Sequence, residues 1–203
     1  MATLVIPTDA SAVVGPPQGQ WTRADWEALP DDGRRYEIID GSLYMSTAPS
    51  SFHQWICQRL YRHLGIPAED RGLAYTFLAP VGVFMPNCDP VQPDFVVVRL
   101  EHRDIIHDRR IFGVPDLIIE VLSPGSADYD EKVKLFAYAR AGVPEYGIVD
   151  PARRELRLHP LEAPGRYRWP ETFGAAATAR FAALPGLELP VSRLFDGAPD
   201  TTL

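Results

Sequence analysis

In the stretch PDLIIEVLSP, residues 115–124, every residue from Leu117 to Leu122 is apolar except Glu120. A carboxylate in such a run is costly unless it is paired or holds a cation. Asp116 shares its side of a strand, because 116, 118 and 120 alternate together. Four residues of extended chain nevertheless separate them by roughly 13 Å, too far to share one metal ion. Asp94 is the better partner, since it lies near the start of another apolar run, QPDFVVVRL at 92–100. If these two strands are neighbours, Asp94 and Glu120 approach to about 5 Å across the ladder. Acids that close repel one another unless a cation sits between them. Hard oxygen donors suit Mg²⁺ or Mn²⁺, ions that keep several waters and bind phosphate. The plainer arrangement has Asp94 at a surface strand end and Glu120 against an arginine.

Eighteen arginines accompany only two lysines, Lys132 and Lys134, both shortly after Glu120. A compact ammonium and a guanidinium are not interchangeable. On a helix the two lysines project about 200° apart, so at most one faces a given site. The apolar pattern around them is too smeared to choose, and a solvated helix face is the competing reading.

The elements that must position these groups are legible in outline. WTRADWEALP reads as a short helix capped by Thr22 and closed by Pro30. RYEIIDGSLYMS, residues 35–46, reads as a hairpin turning at Asp40-Gly41. Residues 50–64 place Phe52, Ile56, Leu60 and Leu64 at four-residue steps, an amphipathic helix that Gly65 and Pro67 should close. Strands are expected over 73–85, 92–100 and 116–123, then a helix over 129–141 ending at Gly142, then a strand over 144–150. Residues 153–158 and 167–173 suggest an antiparallel extension, and 184–195 a closing segment. The order implies a mixed α/β fold on one sheet with β additions at both ends. A loose tail over 1–19 and a single domain over 20–203 are expected.

Net charge is −7 and the pI about 5.2, which argues against a general nucleic-acid coat but not against an enzyme meeting phosphates in one groove. Cys57 and Cys88 form no zinc spacing, so reduced cytosolic thiols are the default. No signal peptide and no run long enough to span a membrane is present, which points to a cytoplasmic protein.

Together QPDFVVV, PDLIIEVLSP, YDEKVKLFAYARAGVPEYGIVDP and RYEIIDG resemble the bacterial restriction endonuclease family known as Uma, a branch of the PD-(D/E)XK nuclease-like superfamily. The likeness runs from about residue 20 to residue 196. It implies a restriction-endonuclease-like core and metal-dependent hydrolysis of phosphodiester bonds in DNA. Carried over residue by residue, Asp94 and Glu120 are the ligands of a Mg²⁺ or Mn²⁺ ion. The superfamily's usual lysine, two residues after the Glu, falls on Leu122. The resemblance supplies Lys134 on the following helix instead, with Lys132 in reserve. Glu37 matches an acidic position near the metal, or is simply a hairpin residue. His53 matches a histidine often seen at its position, against the plainer reading of a helix contact. A homodimer is suggested by the resemblance alone.

His63, His102, His107 and His159 show no paired-ligand spacing, and Ser123 and Ser126 lack the motif of a serine hydrolase. Arg109-Arg110 and Arg153-Arg154 could touch a nucleic-acid backbone, and read more plainly as solvated loop charges. Two functions therefore stand side by side. One is a metal-dependent endonuclease using Asp94, Glu120, Lys134 and Glu37. The other is a non-catalytic nuclease-like module that binds DNA or protein, with Leu122 marking a decayed site.

Overall fold

The computed structural model describes residues 13–32, 34–46, 49–123 and 127–198. Ser126 and residues 1–12 of the expected tail lie outside the described residues. Gln18 and Gly19, later in that stretch, bond to the hairpin: Leu43 N–H donates to Gln18 Oε1 at 2.6 Å and Gly19 N–H to Gly41 O at 2.8 Å.

Helix α1, Arg23–Glu27, carries a reciprocal cap in which Thr22 and Asp25 each satisfy the other's backbone N–H. Strands β1, Arg35–Ile39, and β2, Ser42–Ser46, form the expected hairpin. Its turn residues Asp40 and Gly41 have φ of 51° and 68°, the left-handed pair that a two-residue turn between twisted strands requires.

Helix α2, Ser51–Leu60, runs on through a wider π-helical turn, Tyr61–Gly65, into α3, Ile66–Asp70. Gly65 and Pro67 therefore do not close it. Ile66 N–H reaches back to Tyr61 O, so the wide turn already breaks the regular ladder where Pro67 lacks a donor. Gly65 is needed for closeness instead: a Cβ there would stand 2.7 Å from the Tyr61 ring.

The expected strand 73–85 is two strands, β3, Ala74–Leu78, and β4, Gly82–Phe84, separated around Pro80. Next come β5, Phe95–Arg99, then β6, Arg110–Phe112, and β7, Leu117–Val121. A π-helical turn, Tyr129–Lys134, leads into α4, Leu135–Ala141, which Gly142 ends at φ 91°. Strands β8, Glu145–Asp150, β9, Glu155–Ala163, β10, Arg166–Tyr167, and β11, Glu171–Gly174, follow. The chain closes with the pair β12, Thr178–Arg180, and β13, Glu188–Pro190.

One seven-stranded mixed sheet organises the molecule in the order β10-β9-β8-β7-β5-β3, with β11 also on β9. Among the described residues only β7 and β8 pair in parallel within it, and α4 lies in their crossover, as parallel neighbours require. Alternation sends Phe95, Val97, Leu117 and Ile119 to one face, under α2 and the closing segment. Val96, Val98, Ile118 and Ile148 go to the other, under Ala137, Tyr138 and Ala141 of α4. Glu120 belongs to this second face. Strands β4 and β6 form a separate parallel ribbon that the sequence did not announce. Among the described residues, no helix is long and apolar enough to cross a membrane.

Candidate active site

Strand β5 runs antiparallel to β7, so the start of one meets the end of the other. Phe95 pairs with Ile119, and one step further the register sets Asp94 opposite Glu120. The two ends are tied crosswise. Val121 N–H donates to Asp94 Oδ2 at 3.0 Å, and Asp94 N–H donates to Glu120 Oε2 at 3.3 Å. Both carboxylates are buried.

Each acid has a cation. Arg35 Nη1 donates to Asp94 Oδ1 at 2.8 Å, and the same guanidinium bonds the Gln92 carbonyl. His53 Nε2 sits 3.0 Å from Asp94 Oδ2. Lys134 Nζ donates to Glu120 Oε1 at 2.9 Å, and Tyr138 gives its hydroxyl to the same oxygen at 2.8 Å. Lys134 also faces Glu37 Oε2 at 3.2 Å and Asp130 Oδ1 at 3.4 Å. Glu37 is held by Gln92 N–H at 2.7 Å and lies 3.4 Å from the Tyr129 hydroxyl.

Asp94, Glu120, Lys134 and Glu37 thus come together in one buried cluster. Lys132 does not join it; it is exposed and pairs with Asp128 at 2.7 Å. Leu122 packs in the core on the same face as Tyr129 and Tyr138. Asp116 lies at the other end of β7, accepting from Arg99 N–H at 2.7 Å and facing His102 Nδ1 at 2.8 Å. His53, on the buried face of α2, touches Asp94 directly. Arg110, expected as a solvated charge, pairs with Glu27 at 2.8 Å and lies over the Trp26 and Phe84 rings.

Arg35, Asp130, Tyr129 and Tyr138 escaped the sequence reading. Their signal was spacing: Asp130 and Tyr138 flank Lys134 by four residues on either side, and Arg35 shares a strand face with Glu37.

Electrostatics separate the two central acids. Burial pushes the Asp94 carboxyl up, but the Arg35 guanidinium and His53 outweigh it and hold the group well below the usual carboxylate range. Burial also raises Glu120; the Lys134 ammonium opposes this, yet Asp94, Asp130 and Glu37 reinforce it, and the carboxyl stays well above its ordinary value. Burial pulls the Lys134 ammonium down, and Glu120, Glu37 and Asp130 more than restore it. Among the described residues the cluster holds four carboxylates, Asp94, Glu120, Glu37 and Asp130, against two permanent cations, Arg35 and Lys134.

That donor set fits a hard divalent ion. One such ion carries the two charges by which acids exceed cations. Each carboxylate oxygen offers two lone pairs. Asp94 Oδ1 and Glu120 Oε2 each accept one of the hydrogen bonds described above, so each keeps capacity for a metal.

A family model described as "Putative restriction endonuclease", Uma2, matches residues 23–192. The fold resembles the crystal structure of a "putative nuclease belonging to DUF820" from Anabaena variabilis, with a TM-score of 0.72 and 18% identity over 86% of this chain and 97% of that one. Among curated proteins, none matches the sequence. The structural likeness establishes the nuclease-type fold, and the family match spans more than half of the chain: this protein belongs to the Uma2 family.

Proposed function

We propose that the protein is a metal-dependent endonuclease that hydrolyses phosphodiester bonds in DNA. The observation that carries this reading is the buried cluster in which Asp94 and Glu120 face each other and acids exceed permanent cations by two. Such an excess in a low-dielectric interior calls for a divalent cation or for protons.

Asp94 and Glu120 would hold the ion, Mg²⁺ or Mn²⁺. When bound, the ion supplies Lewis-acid activation of water and charge neutralisation at a phosphate. Lys134 would orient the attacking water or steady the negative charge that grows on the phosphoryl oxygens. Glu37, Asp130 and Tyr138 fix the direction of that ammonium: two acids share it, and the Tyr138 hydroxyl anchors its main partner Glu120. Arg35 holds Asp94 ionised, ready to act as a ligand. The leaving oxygen takes its proton from solvent. A cytoplasmic setting belongs to the same reading.

The second reading, a nuclease-like binding module without catalysis, is favoured by one observation. Arg35 already neutralises Asp94, as an ion pair with a purely structural role would. Incubation of supercoiled plasmid with Mg²⁺ or Mn²⁺, wild type beside Glu120→Gln, separates the two. The endonuclease reading expects nicking by wild type that chelator abolishes and the variant lacks. Equal nicking by both proteins, or none by either, overturns it.

A further inference from the structure

We propose that His53, Cys57 and Asp94 form a second, softer metal site that takes up zinc and, through the shared Asp94, shuts down the hydrolytic site. The inhibitory half rests on the endonuclease reading above; the metal site itself does not.

Ser50 caps α2 by accepting the His53 N–H at 3.1 Å, and the helix then sets His53 and Cys57 one turn apart on its buried face. His53 Nδ1 lies 3.6 Å from Cys57 Sγ, while Nε2 faces Asp94 Oδ2 at 3.0 Å. One donor atom from each of the three residues lies within 4.8 Å of the others, and all three residues are buried. Zinc reaches sulfur at about 2.3 Å and nitrogen or oxygen at about 2.0–2.2 Å, so the three donors must draw in around the ion, with a single ring nitrogen of His53 as the ligand.

The donor set distinguishes this site from the one between Asp94 and Glu120. A thiolate and an imidazole select a borderline-soft ion and offer little to Mg²⁺. Three protein ligands leave a fourth tetrahedral position for water. Binding releases the Cys57 thiol proton to solvent, because the ligand is the thiolate. A buried thiol that merely filled space would act as a small hydrophobe. Cys57 instead faces a ring nitrogen of a histidine whose other nitrogen faces a carboxylate.

Asp94 links the two sites. Arg35 bonds Oδ1, which keeps a lone pair for the hard ion, while on Oδ2 the softer ion would take the place of the His53 contact. An ion there adds two positive charges a few ångströms from the place where Asp94 and Glu120 would hold Mg²⁺. Such charges repel strongly in a buried setting. Zinc therefore opposes magnesium without occupying the same seat.

The test substitutes Co²⁺ for zinc in the full chain without nucleic acid and reads the thiolate-to-cobalt absorption in the near ultraviolet. Wild type and Cys88→Ser should show the band at one equivalent. Cys57→Ser should lack it, and excess Zn²⁺ should erase it. His53→Asn, the second variant, should weaken cobalt binding at least about tenfold. Thermal melting of each variant confirms that it folds. In a parallel plasmid assay at fixed Mg²⁺, Cys57→Ser should need at least about ten times more Zn²⁺ for half-inhibition than wild type. Absence of the band in wild type, or its persistence in Cys57→Ser, overturns the site; equal zinc sensitivity overturns the inhibition. Should wild type fail to nick DNA at all, the endonuclease reading falls while the cobalt spectrum still judges the metal site.

Discussion

Lys134 Nζ lies 2.9 Å from Glu120 Oε1, although it sits on the helix that follows the strand and not on the strand itself. The ammonium thus arrives at the carboxylate from the helical layer, while Leu122, just past the end of the strand, is left to the core.

Replacing Lys134 by Met should therefore be costly. It strips the ammonium from Glu120, Glu37 and Asp130 while keeping most of the stem, and breaking such a buried pair costs about 3–5 kcal/mol. Urea unfolding at neutral pH measures it. The double variant Lys134→Met/Glu120→Gln should lose clearly less than the two single losses combined, because the neutral amide no longer needs the ammonium. Lys132→Met, at an exposed position, should leave the unfolding midpoint unchanged.

Arg35→Leu should destabilise the metal-free protein, since Asp94 loses its principal counter-charge. The same change should raise affinity for Mn²⁺ at least about tenfold. A guanidinium at this range from a divalent ion repels it by several kcal/mol at an effective dielectric near 20. Added Mn²⁺ should restore part of the lost melting temperature. Calorimetry and melting curves with and without the ion check both halves. An unchanged affinity would show that Arg35 and the ion do not sense each other.

His159 lies in β9 near the Tyr146 and Tyr167 rings, with Nε2 buried and, among the described residues, unbonded. Burial, and then Arg157, push its pKa down to about 4. An unfolded histidine titrates near 6.5, so below that pH the unfolded chain binds the extra proton. Stability contributed by the neutral ring is complete above about 6.5 and is lost as pH falls toward 4. His159→Phe should remove this slope and gain on wild type by on the order of 1 kcal/mol between pH 7 and pH 5. Urea midpoints of both proteins at the two pH values decide it.

Much of the fold could be read from local chemistry. Asp40-Gly41 turned the hairpin because those residues tolerate left-handed backbone, and Gly142 ended α4 for the same reason. The apolar runs at 95–99 and 117–121 became adjacent strands covered on both faces, which set Asp94 against Glu120. What stayed hidden was non-local or irregular. Arg35 and Asp94 are 59 residues apart, and nothing in either segment announces the pair. Asp130, Lys134 and Tyr138, four residues apart, all reach one cluster, and the turn over Tyr129–Lys134 that carries the first two is π-helical, wider than a regular one. A pattern sought at 3.6 residues per turn smears there, which is why the sequence alone did not separate Lys134 from Lys132.

The most direct test is a Mn²⁺ titration of the full chain without nucleic acid, read by calorimetry, with wild type beside the double variant Asp94→Asn/Glu120→Gln. The expected result is one site per chain in wild type and none in the variant, with both proteins folded by melting. Wild type that takes up no ion, or a variant that binds as tightly as wild type, would contradict a metal centre at these two carboxylates.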